Sequence, residues 1–433
     1  MSDLRSVLQE RRRSYQPSPG GFDRLVRRRR RKQRKQRLAA GLVALVVTVA
    51  GTWGLFAVSR SLGPRTGAAS IDGSSVHRLD VAWTAAVGDT PTPPVVGGKL
   101  VFVGSRSGVL YAFDVDGEVV WLGRLRGSIV SAPAVSSDEV IVHTTEGLLA
   151  AFPNTCGTGG ATCLPTWTAR TGDRTGSPPT IAGGMVYVNA GVDRLLAFPA
   201  RCRADGDLCR PAWRGVVDVF TGNNPVVAPA LVAGSVWTVL DTSPTIFPAS
   251  CGTDGGPCEP INAQFAGAMR TGPIVGGGMV FLGSESGYVY GFPADCANPC
   301  SSIWRAVADE PTEPAVAGGV VYVAGAPGGG LAAVSQGCRS PGSSCAPTWI
   351  GDLHGSPTSP VVVANSVVYV GSSDGNLYAF PTTCPENGTV CTPAAVVRIG
   401  SSIAKPAVYG DRALFITALD GTLRALTVAG VDI

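Results

Sequence analysis

Histidine and methionine are scarce, with three and four copies in 433 residues. The few histidines leave little imidazole from which a metal centre or a general base could be built. His77, His143 and His354 lie far apart, and none has a companion at ligand or catalytic-triad spacing. The chain also lacks a nucleophile elbow, a glycine-rich phosphate loop followed by Lys and Ser or Thr, and a paired-His zinc motif. Hydrolase, P-loop and zinc-protease readings therefore have nothing to stand on. Charged residues make up only 15% of the chain, but they are unevenly placed. The first 37 residues hold 14 Lys or Arg against three acidic residues, a net of +11, so with a whole-chain charge of +4 the remainder carries −7.

What the sequence has in plenty is repetition. An aromatic or apolar residue ends a strand-like run at Phe113, Phe152, Phe198, Phe247, Phe292, Val334, Phe380 and Leu426, in steps of 39 to 49 residues. A proline opens another run at Pro94, Pro133, Pro179, Pro229, Pro273, Pro314, Pro360 and Pro406, and the two series keep phase. In the cleanest copy, Ser359 to Cys391, Val361–Val363, Val367–Val370 and Leu377–Phe380 read as three strands, with Asp374-Gly375 as a hairpin turn. Runs that are apolar at odd and even positions alike must be buried on both faces. A four-stranded unit of this length cannot hide both faces alone, so eight copies predict an all-β, eight-bladed β-propeller over residues 80–433. Asp80 to Asp89 resembles a fourth strand with nothing before it, while the eighth unit lacks a clear fourth. Trp83 falls in line with the fourth-strand Trp121, Trp167, Trp213, Trp304 and Trp349, which predicts that the amino-terminal strand completes the last blade.

Leu38 to Val58 is uncharged over 21 residues, enough at about 1.5 Å per residue to span a hydrocarbon core of about 30 Å. Together with the basic residues before it, this predicts a cytoplasmic arm (1–37), one transmembrane helix (38–58) acting as a retained signal anchor, and a propeller outside the cytoplasm. Residues 59–79, rich in Gly and Ser, read as a linker. The arm can dock a cytoplasmic protein or lie on anionic lipid, and its place beside the apolar run argues against nucleic acid.

All twelve cysteines fall in six local pairs between third and fourth strands: Cys156 with Cys163, Cys202 with Cys209, Cys251 with Cys258, Cys296 with Cys300, Cys338 with Cys345, and Cys384 with Cys391. In an exported chain this reads as six disulfides.

Gly108 to Leu125, GVLYAFDVDGEVVWLGRL, and the GNLYAFP run from Gly375 resemble the repeat of the pyrroloquinoline-quinone-type propellers. That family includes eight-bladed quinoprotein alcohol dehydrogenases and a non-catalytic propeller lipoprotein of outer-membrane barrel assembly. The resemblance covers residues 80–433 and implies the fold, with activity left open. Trp-Asp dipeptides, the mark of the best-known seven-bladed class, are absent. Asp114-Val115-Asp116-Gly117-Glu118 alternates carboxylates but lacks the rest of a calcium loop, so it is assigned to a tight turn.

Segments leading into the innermost strands converge on the channel mouth of a propeller. Here they hold Arg174, Asn223, Asn224, Arg270, Glu310, Glu313, His354 and Lys405, which form either a polar ligand site or a solvated rim. The reading is a membrane-anchored extracytoplasmic scaffold for a protein or cell-envelope ligand, with no catalytic residue, metal or cofactor. Two alternatives stand beside it: a quinone-dependent dehydrogenase, and a transmembrane sensor whose arm docks a regulatory protein.

Overall fold

The structure, a computed structural model, describes residues 70–202, 208–218, 226–251, 257–264, 267–297, 299–339, 343–384, 390–404, 406–409 and 412–428. The basic arm and the apolar segment Leu38 to Val58 lie outside them. Among the described residues no helix is long and apolar enough to cross a membrane.

Eight antiparallel sheets follow one another along the chain, each built from an inner strand that begins just after one of the eight prolines. Blade 1 shows the plan, with strands Val95–Gly97, Leu100–Gly104, Val109–Asp114 and Val119–Arg124. The turn between the first two strands needs left-handed backbone at both corners. Glycines supply it at Gly318 and Gly319 (φ 58° and 77°), whereas blade 7 forces Asn365 and Ser366 into the same region (φ 51° and 62°). Second strands such as Val367–Gly371 are buried at every position. The carboxylate run at Asp114 is indeed a turn, in which the Asp114 amide donates to Glu118 O at 2.9 Å and the Glu118 amide donates to Asp114 Oδ1 at 2.8 Å.

Blade 8 consists of Ala407–Tyr409, Ala413–Ala418, Thr422–Val428 and, from the other end of the chain, Leu79–Ala86. The closing strand pairs antiparallel from Leu79 opposite Val428 to Ala86 opposite Thr422, with a bulge at Ala82. The ring is thus closed by hydrogen bonds between its first and last strands, as the missing fourth strand implied.

The apolar core is distributed between blades. Its clusters lie at the eight blade–blade interfaces, with Trp121 packed between Phe102 of its own blade and Phe152 of the next, and Trp349 between Tyr322 and Phe380. The fourth-strand tryptophans are therefore interblade wedges. Trp121 Nε1 donates to Asn154 O at 3.0 Å, and Trp304 Nε1 donates to Ser335 O at 2.9 Å, each acceptor belonging to the following blade.

All six expected disulfides are present, with Cα–Cα distances of 5.3 to 6.0 Å. Each closes a loop within its own blade, but the loop reaches backward. Ala161–Cys163, Pro257–Cys258, Cys300–Ser301 and Val390–Cys391 pair in parallel with the outer strand of the preceding blade as a short fifth strand. Cys209 and Cys345 do the same with a single amide, donated to Thr168 O and Arg305 O at 2.8 Å. The second cysteine of every pair is buried in the interface it helps to seal.

The same logic revises the linker. Ile71 and Val76 are buried against blade 7 together with Val397 and Ile399, and a 3-10 turn at Val76–Arg78 lies beside the outer strand Ala395–Arg398. Part of the 59–79 stretch expected to be a linker therefore packs with the blades, through Ile71, Val76 and Leu79. These residues occupy in blade 8 the position that the disulfide loops occupy in blades 2 to 7.

Candidate functional site

Four consecutive lead-in segments, those of blades 4 to 7, line an open cavity of about 270 Å³ at the channel mouth. Three of the eight candidate residues, Arg270, Glu310 and Glu313, line it. Arg174 and His354 are exposed and do not line it, and Asn223, Asn224 and Lys405 lie outside the described residues. His354 adopts left-handed backbone (φ 48°) and turns to its own neighbour, with Nδ1 3.2 Å from Asp352 Oδ2.

The wall between the charges is made by Thr312 and by prolines such as Pro311, Pro357 and Pro360. Proline fixes φ and has no N–H, so such lead-ins hold their shape with only isolated bridges, such as Pro357 opposite Ser372, to the sheets. In blades 1, 5 and 7 a lead-in hydroxyl accepts the amide of the glycine twelve residues later: Gly104 to Thr92 at 2.9 Å, Gly283 to Thr271 at 2.8 Å and Gly371 to Ser359 at 2.8 Å. Blade 6 departs from the pattern. Its second strand carries a bulge between Ala324 and Ala326, and the Asp309 amide takes Gly325 O at 2.8 Å. Thr312 Oγ1 is left buried without a partner, a state that costs about 1–3 kcal/mol unless a ligand or water meets it. Gly325 sits at φ 89°, and a Cβ there would come within 2.3 Å of Glu310 O, so the bulge also fixes where Glu310 stands.

The site has one guanidinium and two carboxylates, a net of −1, with a hydroxyl between them. These groups suit reversible recognition of a polar or cationic group. Among the described residues no cluster of three or more His, Cys, Asp or Glu is arranged to hold a metal ion. Nor do the residues fit a quinone cofactor. No aromatic side chain lines the cavity to stack on it, and the described tryptophans are wedged into blades and blade interfaces. No two cysteines are adjacent to cover its other face.

The third histidine is structural. His143, fully buried in blade 2, has Nδ1 3.1 Å from Ser177 O and Nε2 2.9 Å from Thr171 Oγ1. With Nδ1 protonated, the ring donates to the carbonyl and accepts from the hydroxyl. Asn189 Nδ2 and Thr417 Oγ1 likewise donate to carbonyls in the lead-in of the following blade, those of Val227 and Thr92. Burial holds the His143 pKa below the usual histidine value.

Comparison with known proteins agrees with the architecture. The family described as "Outer membrane protein assembly factor BamB" matches residues 72–160 and 158–383. A stretch of 56 residues is 41% identical to the outer membrane protein assembly factor BamB of Yersinia pestis, spanning 13% of this chain and 14% of that protein. Among solved structures, BamB from Moraxella catarrhalis superposes with a TM-score of 0.61 at 14% identity, covering 81% of this chain and 99% of that one. Quinohemoprotein alcohol dehydrogenase from Comamonas testosteroni gives 0.62 at 13% identity, covering 84% and 78%. At these identities the structural likenesses establish the fold alone.

Proposed function

The chain belongs to the propeller family described by the assembly factor BamB, and from that premise we propose that it is a membrane-anchored, extracytoplasmic scaffold that binds a polypeptide at the mouth of its channel. The observation that carries this reading is the cavity of blades 4 to 7, where the buried, unpartnered Thr312 hydroxyl lies among Arg270, Glu310 and Glu313. Its negative balance favours a loop that presents a basic side chain to the carboxylates, with Arg270 taking a carbonyl or carboxylate of the same loop. The family description, an assembly factor for outer membrane proteins, supports a protein ligand. The charge step before Leu38 supports an anchor with the arm in the cytoplasm and the propeller outside.

The test is photocross-linking in cells from position 226, since Val226 lines the cavity and is 48% exposed. An adduct with a defined protein is expected from position 226, absent from the rim position Leu164, and lost in Glu310→Lys. Equal adducts from both positions would remove the cavity from the account. A reporter fused after Ile433 is expected to be active outside the cytoplasm, and activity only inside would overturn the anchored topology.

A further inference from the structure

Six blades have a fifth strand or an amide bridge from a disulfide loop on their outer edge, and in the five that carry a wedge tryptophan it can be compared directly with blade 8. In blade 1 the added strand pairs Trp121 with Ala161, Leu122 with Thr162 and Gly123 with Cys163. In blades 2 and 5 the residue just after the wedge tryptophan, Thr168 or Arg305, accepts a cysteine amide at 2.8 Å. In blades 3 and 6 the pairing again starts one residue after the tryptophan, at Arg214 and Ile350. Every added strand runs parallel to the outer strand.

Blade 8 has the same edge without the strand. The corresponding connection, from the following blade in the ring, is blade 1's turn at Asp114 to Glu118, which is too short to lie along Leu79–Ala86. It does reach the tryptophan: Trp83 Nε1 donates to Val115 O at 2.9 Å, and Gly117 sits so close that a Cβ would meet the indole at 2.9 Å. Only the side chain is covered. The Val87 amide donates to Gly421 O at 2.9 Å, so by antiparallel alternation Ala85 and Trp83 turn their backbone groups inward, and Thr84 and Ala86 turn theirs outward. Among the described residues no strand pairs with that outward side. Thr84 holds in blade 8 the place of Thr168 and Arg305.

Natural sheets blunt free edges with charge, proline or a bulge. Here that protection stops early. The Asp80 carboxylate takes the Val81 amide at 2.8 Å and the bulge falls at Ala82, but Trp83 to Ala86 carries no charge and no proline, and its exposed side chains are small. We propose that the outer edge of blade 8 at Trp83 to Ala86 is a β-augmentation site, which takes a short, uncharged, extended segment of a partner polypeptide in parallel register. The chemistry of the occupant is set by the segments this chain lays on its other blades, Ala-Thr-Cys in blade 1 and Val-Cys in blade 6. A second copy of the chain is disfavoured, because two such edges related by a two-fold axis meet antiparallel. The site lies on the rim and is independent of the channel-mouth cavity.

The experiment is hydrogen exchange on the full-length protein in detergent. The probe is a disulfide-closed peptide of sequence CGTGGATC, the Cys156 to Cys163 loop. Without probe, amides of Thr84 and Ala86 are expected to exchange at least about tenfold faster than that of Leu122, which faces the added strand in blade 1. Millimolar probe should slow them by roughly threefold or more, and the same peptide with proline for its second threonine should not. Thr84→Pro should abolish the slowing, while Thr84→Val, which keeps the backbone groups, should retain it. Three results overturn the proposal: full protection in the free protein, protection that grows with protein concentration alone, or no slowing by the probe in wild type and Thr84→Val.

Discussion

Trp83 and Val115 join the two ends of the ring, the indole N–H donating to the carbonyl at 2.9 Å across the interface between blade 8 and blade 1. Elsewhere the following blade adds backbone pairing behind the tryptophan, but at this seam the described structure relies on the wedge itself. The seam is therefore the place where side-chain loss should be felt by the whole molecule.

Removing the wedge tests this. Trp83→Ala empties the contact with Phe415 and with Gly117, and should cost about 3 kcal/mol, the scale of large-to-small aromatic truncations in cores. Deleting Asp80 to Asp89 removes the closing strand and should prevent cooperative unfolding altogether. A thermal melt of Trp83→Ala within a degree of wild type would show that the seam is held by something else.

The disulfide loops carry a separate prediction. An eight-residue ring of the Cys156–Cys163 kind should stabilise by about 2.5 kcal/mol through the unfolded chain. Because the loop docks on the blade before it, Cys156→Ser with Cys163→Ser should speed amide exchange at Trp121 to Gly123 in blade 1 more than in blade 2's own outer strand, Trp167–Arg170. Exchange that rises only within blade 2 would contradict interblade stapling.

His143 gives the molecule a weak point in acid. Its folded-state pKa is depressed below the usual 6.5, first by burial, with the Ser177 carbonyl and Asp173 working in the opposite direction. The unfolded chain then binds a proton that the folded state resists, so this contribution to stability is full above about pH 6.5 and is lost as pH falls through the folded value. Denaturation midpoints at pH 7.5 and 5 should differ more in wild type than in His143→Gln, which cannot charge. Parallel pH profiles for the two proteins would assign the acid sensitivity to other groups.

Much of this fold is readable from residue types because a propeller repeats its constraints. Proline at the start of each inner strand, eight times over, and an aromatic near the end of six of the eight third strands each have a single physical cause. Trp83 could be assigned to the last blade because five other units place tryptophan at the same point. The backward reach of the cysteine loops could not be read, since a parallel pairing of two or three residues leaves no periodicity. The Ser70–Arg78 segment reads as linker only because it belongs to the Gly- and Ser-containing stretch 59–79. Its sign of order is local, with Asp72 Oδ1 accepting the amides of Ser74 and Ser75 at 2.8 and 3.0 Å, which sets Val76 into the interface. At the channel mouth the charges and Pro360 are legible in the sequence, but Pro311, Pro357 and Thr312 are not. Their role depends on a bulge at Gly325 that only the folded register reveals.

The last prediction separates this chain from the catalytic propellers that share its fold. A quinone cofactor needs a flat stacking surface below it, a lid above and carboxylate or amide oxygens around a cation. Glu310 and Glu313 could meet a cation, but the cavity between them is walled by proline, valine and threonine rather than by an aromatic ring. The tryptophans a floor would need are committed to the blades: Trp237 lies 5.8 Å from Phe292, and Trp213 lies between Tyr187 and Phe247. Moving any of them would open an interface at a cost of about 3–5 kcal/mol. The twelve cysteines are all engaged in the six loop disulfides. Purified protein mixed with pyrroloquinoline quinone and calcium should therefore show neither a bound-cofactor absorbance band nor alcohol-dependent dye reduction. Stoichiometric binding with turnover that Glu310→Ala or Glu313→Ala abolishes would place the chain among the dehydrogenases instead.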